Sequence, residues 1–188
     1  MKTINKITPD WVKRWSKRYP IEYDEKYYYP YILKARKGDL KAIKELTKWK
    51  NPGRSEKPMN LSKTKKKALS FLIKNLPRYL GYQGEKLFRK DFQYRAPVWS
   101  IFWSHILFHT PILDKYTYAS FKYFKDGKKI NQSEAKITAP NHWKLLDSYK
   151  EWFIVELSRL KAIDPNINER ILDRALFMFG KYLLSKKN

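Results

Sequence analysis

An aspartate that follows a proline-terminated apolar run is the residue best placed to do chemistry in this sequence. Residues 98–108 are apolar nearly all round, Thr110-Pro111 ends the run, and Asp114 stands where the next helix begins. A carboxylate at a helix N-terminus is kept ionised by the helix dipole and by backbone N–H donors. In a cleft it could stabilise a developing cation or activate a water molecule. The alternative is that Asp114 is only an N-cap.

Two histidines precede this turn, His105 and His109, four residues apart and so on one helix face. This is metal-ligand spacing, but a site needs a third ligand, and the other histidine of the chain is His142. The sequence has no cysteine, which excludes disulfides, cysteine-bound zinc and iron–sulfur clusters. We therefore expect no metal and no cofactor, and we predict that His105 is a hydrogen-bonded residue that assists Asp114 in catalysis.

Aromatic residues are frequent, with 7 Trp and 14 Tyr in 188 residues. An enzyme that acts on a nucleobase extrudes the base from the stack and holds it between flat side chains. The candidates for such a base pocket lie close to Asp114 in sequence: Trp99, Trp103, Tyr116 and Tyr118. Core packing is the alternative, and it is the favoured one for Trp99 and Trp103.

A large positive charge points to a polyanionic partner. The sequence has 41 Lys and Arg against 18 Asp and Glu, a formal net charge of +23, which attracts DNA, RNA or an anionic membrane surface. Four lysines stand at a helix start, where the dipole disfavours cations, and further basic residues flank the Asp114 turn. The predicted DNA-backbone contacts are Lys63, Lys65, Lys66, Lys67, Arg95, Lys115, Lys122, Lys125, Lys128 and Lys129. A solvated helix face is the alternative.

Apolar residues recur at helical spacing and strand patterns are weak, so the expected fold class is all-α. Asp39, Ser62 and Asn141 are predicted helix caps, Pro97 a first helical residue, and Pro77 the end of a helix. We expect roughly eight helices in a compact, two-lobed protein with a basic cleft, as a single globular domain over residues 1–188. Hinges between the lobes are predicted near 51–58 and 77–84, where Gly and Pro break the pattern.

The turn Pro111-Ile112-Leu113-Asp114 resembles the catalytic turn of the helix-hairpin-helix DNA glycosylases, whose adenine-excising branch carries a Pro-Ile-Leu-Asp version. The resemblance covers roughly residues 97–124. It implies that Asp114 stabilises the oxocarbenium-like sugar or activates water as the base leaves. Residues 95–100 stand in place of the family's glycine-rich hairpin, Ile101 and Phe102 replace its nucleophilic lysine, and its cluster cysteines are absent. These departures imply a monofunctional enzyme that uses water and forms no Schiff base.

The function predicted from these features is a monofunctional DNA glycosylase that flips a damaged or modified base and hydrolyses its N-glycosidic bond, in DNA repair or in antiviral defence. Double-stranded DNA is the expected partner. We expect a cytoplasmic location, because no stretch approaches the ~20 apolar residues of a membrane span and no signal peptide is visible. Two alternatives stay open: a non-catalytic, all-helical DNA- or RNA-binding protein, and a helical interaction or membrane-surface protein. The oligomeric state also stays open.

Overall fold

The computed structural model describes residues 6–50 and 61–185, and their regular structure is α-helical, which confirms the predicted class. Ten helices occur within those residues: α1 (Pro9–Ser16), α2 (Ile21–Tyr27), α3 (Tyr29–Arg36), α4 (Leu40–Lys50), α5 (Lys63–Tyr79), α6 (Gly84–Asp91), α7 (Pro97–Phe108), α8 (Lys115–Asp126), α9 (His142–Ile163) and α10 (Glu169–Ser185). The count exceeds the prediction because residues 9–36 form three short helices. Pro9 and Pro30 each sit in a first turn, where the missing N–H costs no hydrogen bond.

The chain divides into two compact units. The first contains Met1–Tyr19 and Pro111–Asn188, and therefore α1, α8, α9 and α10; the second is Pro20–Thr110, with α2 to α7. The predicted hinge at 77–84 lies inside the second unit, between α5 and α6, and the one at 51–58 lies outside the described residues. Among the helices that the structure describes, none is both long and apolar enough to cross a membrane.

In the first unit, α8 and α10 cross with their backbones in close approach. A Cβ built on Gly180 of α10 would lie 1.8 Å from the carbonyl oxygen of Tyr116, in the first turn of α8. One turn further along α8, the hydroxyl of Ser120 donates to the carbonyl of Leu176 at 2.6 Å. Only a residue without a side chain permits this spacing. The crossing therefore fixes the start of α8, which is the segment that Asp114 precedes.

The second unit is built around α7, as the sequence predicted for a helix that is apolar nearly all round. Residues 99–107 are all buried. The Phe102 ring lies 5.9 Å from that of Trp49 in α4, and the Trp103 ring 5.6 Å from that of Phe92. Left-handed residues bound the helix, since φ is 42° at Ala96 and 57° at His109. The chain therefore turns sharply at both ends of α7.

Capping signals predicted several helix starts correctly. The Asp39 carboxylate accepts a hydrogen bond from the Ala42 N–H at 2.8 Å, and the Ser62 hydroxyl accepts one from the Lys65 N–H at 3.4 Å. Pro97 is the first residue of α7, as predicted. Asn141 does precede α9, but its side chain makes no cap hydrogen bond to the described backbone.

Pro77 does not end α5, and this prediction was wrong. The helix continues to Tyr79, and the Leu80 N–H still donates to the carbonyl of Leu76 at 3.1 Å. Leu76 and Tyr79 are buried, at 3% and 1% exposure. Burial of these two side chains holds the last turn in place and outweighs the hydrogen bond that proline cannot make.

Candidate functional site

Asp114 is the N-cap of α8, as predicted. Its Oδ1 accepts hydrogen bonds from the N–H groups of Tyr116, at 2.9 Å, and Thr117, at 3.1 Å. The Thr117 hydroxyl accepts one in return from the Asp114 N–H at 2.8 Å, which completes a capping box. The residue is 8% exposed. Its carboxylate is therefore buried and held in one orientation by the backbone of α8.

Asp114 belongs to a polar cluster with Thr117 of α8, Tyr149 of α9 and Asp173 of α10, all buried. Burial, reinforced by the charges of Asp173 and Asp114, raises the pKa of the Tyr149 phenol well above its usual value. Tyr149 is therefore a neutral phenol near two carboxylates, one of which, Asp173, pairs with Arg170. A helix cap alone needs neither the phenol nor the second carboxylate.

His105 lies in the second unit, whereas Asp114 lies in the first. Its Nδ1 is 2.6 Å from the carbonyl oxygen of Thr110, and its Nε2 is 2.7 Å from the Tyr28 hydroxyl. Because a carbonyl only accepts, Nδ1 carries the hydrogen; in the neutral ring, Nε2 then accepts from the Tyr28 hydroxyl. Both ring nitrogens are thus engaged within the second unit. No set of three or more side chains able to hold a metal ion was found among the described residues.

The four residues predicted to form a base pocket divide between the units. Trp99 and Trp103 are 9% and 1% exposed in the core of the second unit, and the Trp103 Nε1–H donates to the Thr47 hydroxyl at 3.4 Å. Tyr116 and Tyr118 are half-buried on α8 of the first unit. Trp99 and Trp103 therefore pack in the core, which was the alternative to a base pocket. Tyr116 and Tyr118 lie on the helix that Asp114 caps.

The predicted DNA-backbone residues also lie on both units. The second unit carries Lys63, Lys65, Lys66, Lys67 and Arg95, and the first carries Lys115, Lys122, Lys125, Lys128 and Lys129. Some are internally engaged: Lys122 pairs with Asp126, and Lys128 pairs with Glu134 at 2.8 Å, which raises the pKa of Lys128. Paired cations are less available to an external anion than unpaired ones.

The first unit contains a groove of about 870 Å³ that was not predicted from the sequence. We call it the aromatic groove. Its lining includes six aromatic side chains and four cationic ones: Trp11, Trp15, Tyr123, Phe124, Phe179 and Tyr182, and Lys6, Arg14, Arg18 and Lys129. Lys129 is the one member that the sequence had singled out. No Asp or Glu occurs among the described residues that line the groove.

The signal that could have found this groove is the spacing of residues on α1. Trp11, Arg14, Trp15 and Arg18 stand at i, i+3, i+4 and i+7, which is one face of a helix. Lys13 falls outside this face and pairs with Asp164 at 2.7 Å. Trp11, Arg14 and Trp15 thus lie on α1, and Arg18 follows two residues after the helix ends.

The groove cations have no carboxylate partner within the described part of the chain. Neither Lys6, Arg14, Arg18 nor Lys129 forms an ion pair there. The Arg18 guanidinium carbon lies 4.2 Å from the centre of the Trp15 ring, so a cation–π contact orients it. The arrangement suits a ligand that carries both negative charge and a flat apolar part.

Comparison of the chain with protein-family models, with curated proteins and with solved structures returned no match. The resemblance of the Asp114 turn to the glycosylases accordingly stays a prediction.

Proposed function

We propose that this protein binds nucleic acid and that the aromatic groove is its main contact surface. The observation that carries this proposal is the set of four cations without described carboxylate partners around an aromatic floor. Unpaired cations repel one another, and a polyanion relieves that repulsion while the rings contact its bases. The net charge of +23 supplies long-range attraction for the same class of partner.

Electrostatic contacts of this kind predict a strong salt dependence. Each phosphate that a cation neutralises on a single strand contributes about −0.7 to the slope of log K against log salt concentration. If each of the four groove cations contacts one phosphate, the slope from this surface alone is about −3. Binding that is insensitive to salt would contradict the proposal.

Fluorescence anisotropy with labelled DNA and RNA, measured between about 50 and 200 mM salt, tests the proposal. The variant Arg14→Gln removes one groove cation, and Lys17→Gln is its matched control because Lys17 is exposed on the same segment but does not line the groove. We expect Arg14→Gln to weaken binding and to reduce the salt slope by about 0.7, and Lys17→Gln to do neither. Equal effects of the two variants would mean that net charge alone drives binding.

A second candidate function is hydrolysis of an N-glycosidic bond in DNA, with Asp114 as the catalytic residue. It is supported by the buried Asp173 and Tyr149 near Asp114, which exceed what a helix cap requires. The bond from the sugar to the base breaks, the base leaves with the bonding electrons, and a water oxygen bonds to the sugar carbon. The carboxylate of Asp114 would stabilise the cationic sugar, and the water's proton would pass to the departing base.

An abasic-site assay tests this second function. DNAs with damaged or modified bases are incubated with the protein, and alkali then cleaves any abasic sites. We expect alkali-dependent breaks that disappear in Asp114→Asn, because Asn keeps the cap geometry and removes the charge. Activity that survives in Asp114→Asn would refute the role of Asp114, and an absence of breaks on every DNA would leave the binding function alone.

A further inference from the structure

The floor of the aromatic groove is a set of rings in contact, in which Phe179 meets both indoles edge to face and lies nearly parallel to Tyr182. Phe179 is central: its ring centre lies 5.2 Å from that of Trp11 and 5.1 Å from that of Trp15, at interplanar angles of 79° and 69°. Trp15 also lies 5.3 Å from Tyr182. Edge-to-face packing holds the rings in place. Trp11 is half-buried and Tyr182 is 39% exposed, so part of this floor meets solvent.

Trp15 gives a second and independent indication of a ligand. The residue is 6% exposed, and its indole Nε1–H has no acceptor among the described residues. A buried donor without an acceptor is unfavourable and rare in folded proteins. The side chain that lies over its ring is Arg18, which is exposed.

We infer that the aromatic groove binds an unpaired nucleotide of a single-stranded nucleic acid. The base stacks on the floor formed by Trp11 and Tyr182, and the flanking phosphates contact Arg14, Arg18 and Lys129. This inference rests on the proposed nucleic-acid binding and adds the strandedness of the partner.

The accessible rings favour a single strand over a duplex. In a duplex the base faces are stacked on one another, so a protein ring reaches them only after unpairing. In a single strand every base has a free face, so a base can stack on an aromatic side chain whatever the sequence. The groove volume of about 870 Å³ lies within the range of small-ligand pockets, which is ample for one nucleotide.

The first experiment needs only the wild-type chain. Anisotropy compares three labelled DNAs of equal length: a thymidine single strand, the same strand with every base replaced by an abasic site, and a duplex. We expect the base-containing strand to bind about 5- to 140-fold more tightly than the abasic strand, the range expected for one base on an aromatic side chain. Equal affinities would overturn the inference while leaving nucleic-acid binding intact.

The second experiment removes the stacking surface. Trp11→Leu keeps an apolar side chain in the floor, and Trp152→Leu is its control because Trp152 is also half-buried in the first unit but does not line the groove. We expect Trp11→Leu to abolish the preference for the base-containing strand over the abasic one, and Trp152→Leu to retain it. Circular dichroism verifies that both variants fold.

The outcomes separate the inference from the function on which it rests. If Trp11→Leu retains the preference, stacking in this groove is refuted even if binding persists. If the duplex binds more tightly than the single strand, the groove contacts phosphates only. If none of the three DNAs binds, and single-stranded RNA does not bind either, the proposed function itself fails.

Discussion

Replacement of Gly180 by alanine should destabilise the first unit and disturb the start of α8. The added Cβ would lie 1.8 Å from the Tyr116 carbonyl oxygen and 2.5 Å from its carbonyl carbon. Such separations must grow to at least 3.0 Å. Because the obstructing atoms are backbone, no rotamer change can relieve the clash, and α8 and α10 must move apart.

The magnitude follows from overpacking. Extra methyl groups in a packed core cost about 1–3 kcal/mol, and we expect the upper end here because backbone must move. Alanine's higher helix propensity offsets at most ~1 kcal/mol. A net loss of about 2–3 kcal/mol corresponds to a fall in melting temperature of roughly 4–12 °C for a chain of this size. The shift also moves Asp114, the cap of α8, relative to Asp173 of α10.

Urea unfolding followed by circular dichroism and by Trp fluorescence measures this effect. Gly81→Ala is the control, because its Cβ would lie 3.8 Å from the Arg78 carbonyl oxygen, an ordinary contact, and its φ is not positive. We expect the control to change stability by less than about 0.5 kcal/mol. A Gly180→Ala variant as stable as the wild type would refute the close crossing of α8 and α10.

Three further predictions follow from single contacts. Asp114→Ala should lower the unfolding free energy by about 1 kcal/mol in urea titrations, whereas Asp114→Asn should be nearly silent; equal losses would contradict the capping box. Tyr28→Phe should destabilise the second unit by about 1 kcal/mol, because Nε2 of His105 loses its donor, and nitrogen NMR should show the hydrogen still on Nδ1. Hydrogen bonds from the Lys13 ammonium and the Asn166 N–H lower the pKa of Asp164 from its usual value, so these contacts stabilise the fold fully above that usual pKa, and their contribution is lost as pH falls through the lowered pKa. Asp164→Asn should therefore flatten the acid limb of stability against pH, and an unchanged acid limb would show that the pair contributes nothing measurable.

Helix starts and the central helix were predictable because their causes are local. An Asp or Ser side chain caps an N–H group two or three residues further on, so Asp39, Ser62 and Asp114 predict their helix starts without reference to the rest of the chain. An all-apolar helix such as α7 must be enclosed. The prediction at Pro77 was wrong because burial of Leu76 and Tyr79 offsets the hydrogen bond that proline cannot make, and that burial depends on tertiary packing.

The division into units was not predictable from local patterns. The sequence breaks at 51–58 and 77–84 are the most conspicuous, yet the unit boundaries fall after Tyr19 and after Thr110. The first unit joins α1 to helices that begin after Pro111, so the division depends on contacts between the two ends of the chain. Such long-range pairing leaves no trace in periodicity. It also assigns Asp114 and His105, close in sequence, to different units.

The aromatic groove could not be predicted as a binding site from the sequence alone. The helical spacing of Trp11, Arg14, Trp15 and Arg18 is visible in the sequence. Such spacing predicts buried indoles and exposed guanidinium groups, and does not predict a binding site. The groove is a candidate site because its cations are not neutralised within the described residues. Lys13 forms an ion pair with Asp164, whereas Arg14, the next residue, forms none with a described carboxylate. That difference depends on where α9 ends relative to α1. A basic residue therefore indicates an external anion only when the fold shows that no neighbouring carboxylate pairs with it. The net charge of +23 does not distinguish paired from unpaired cations.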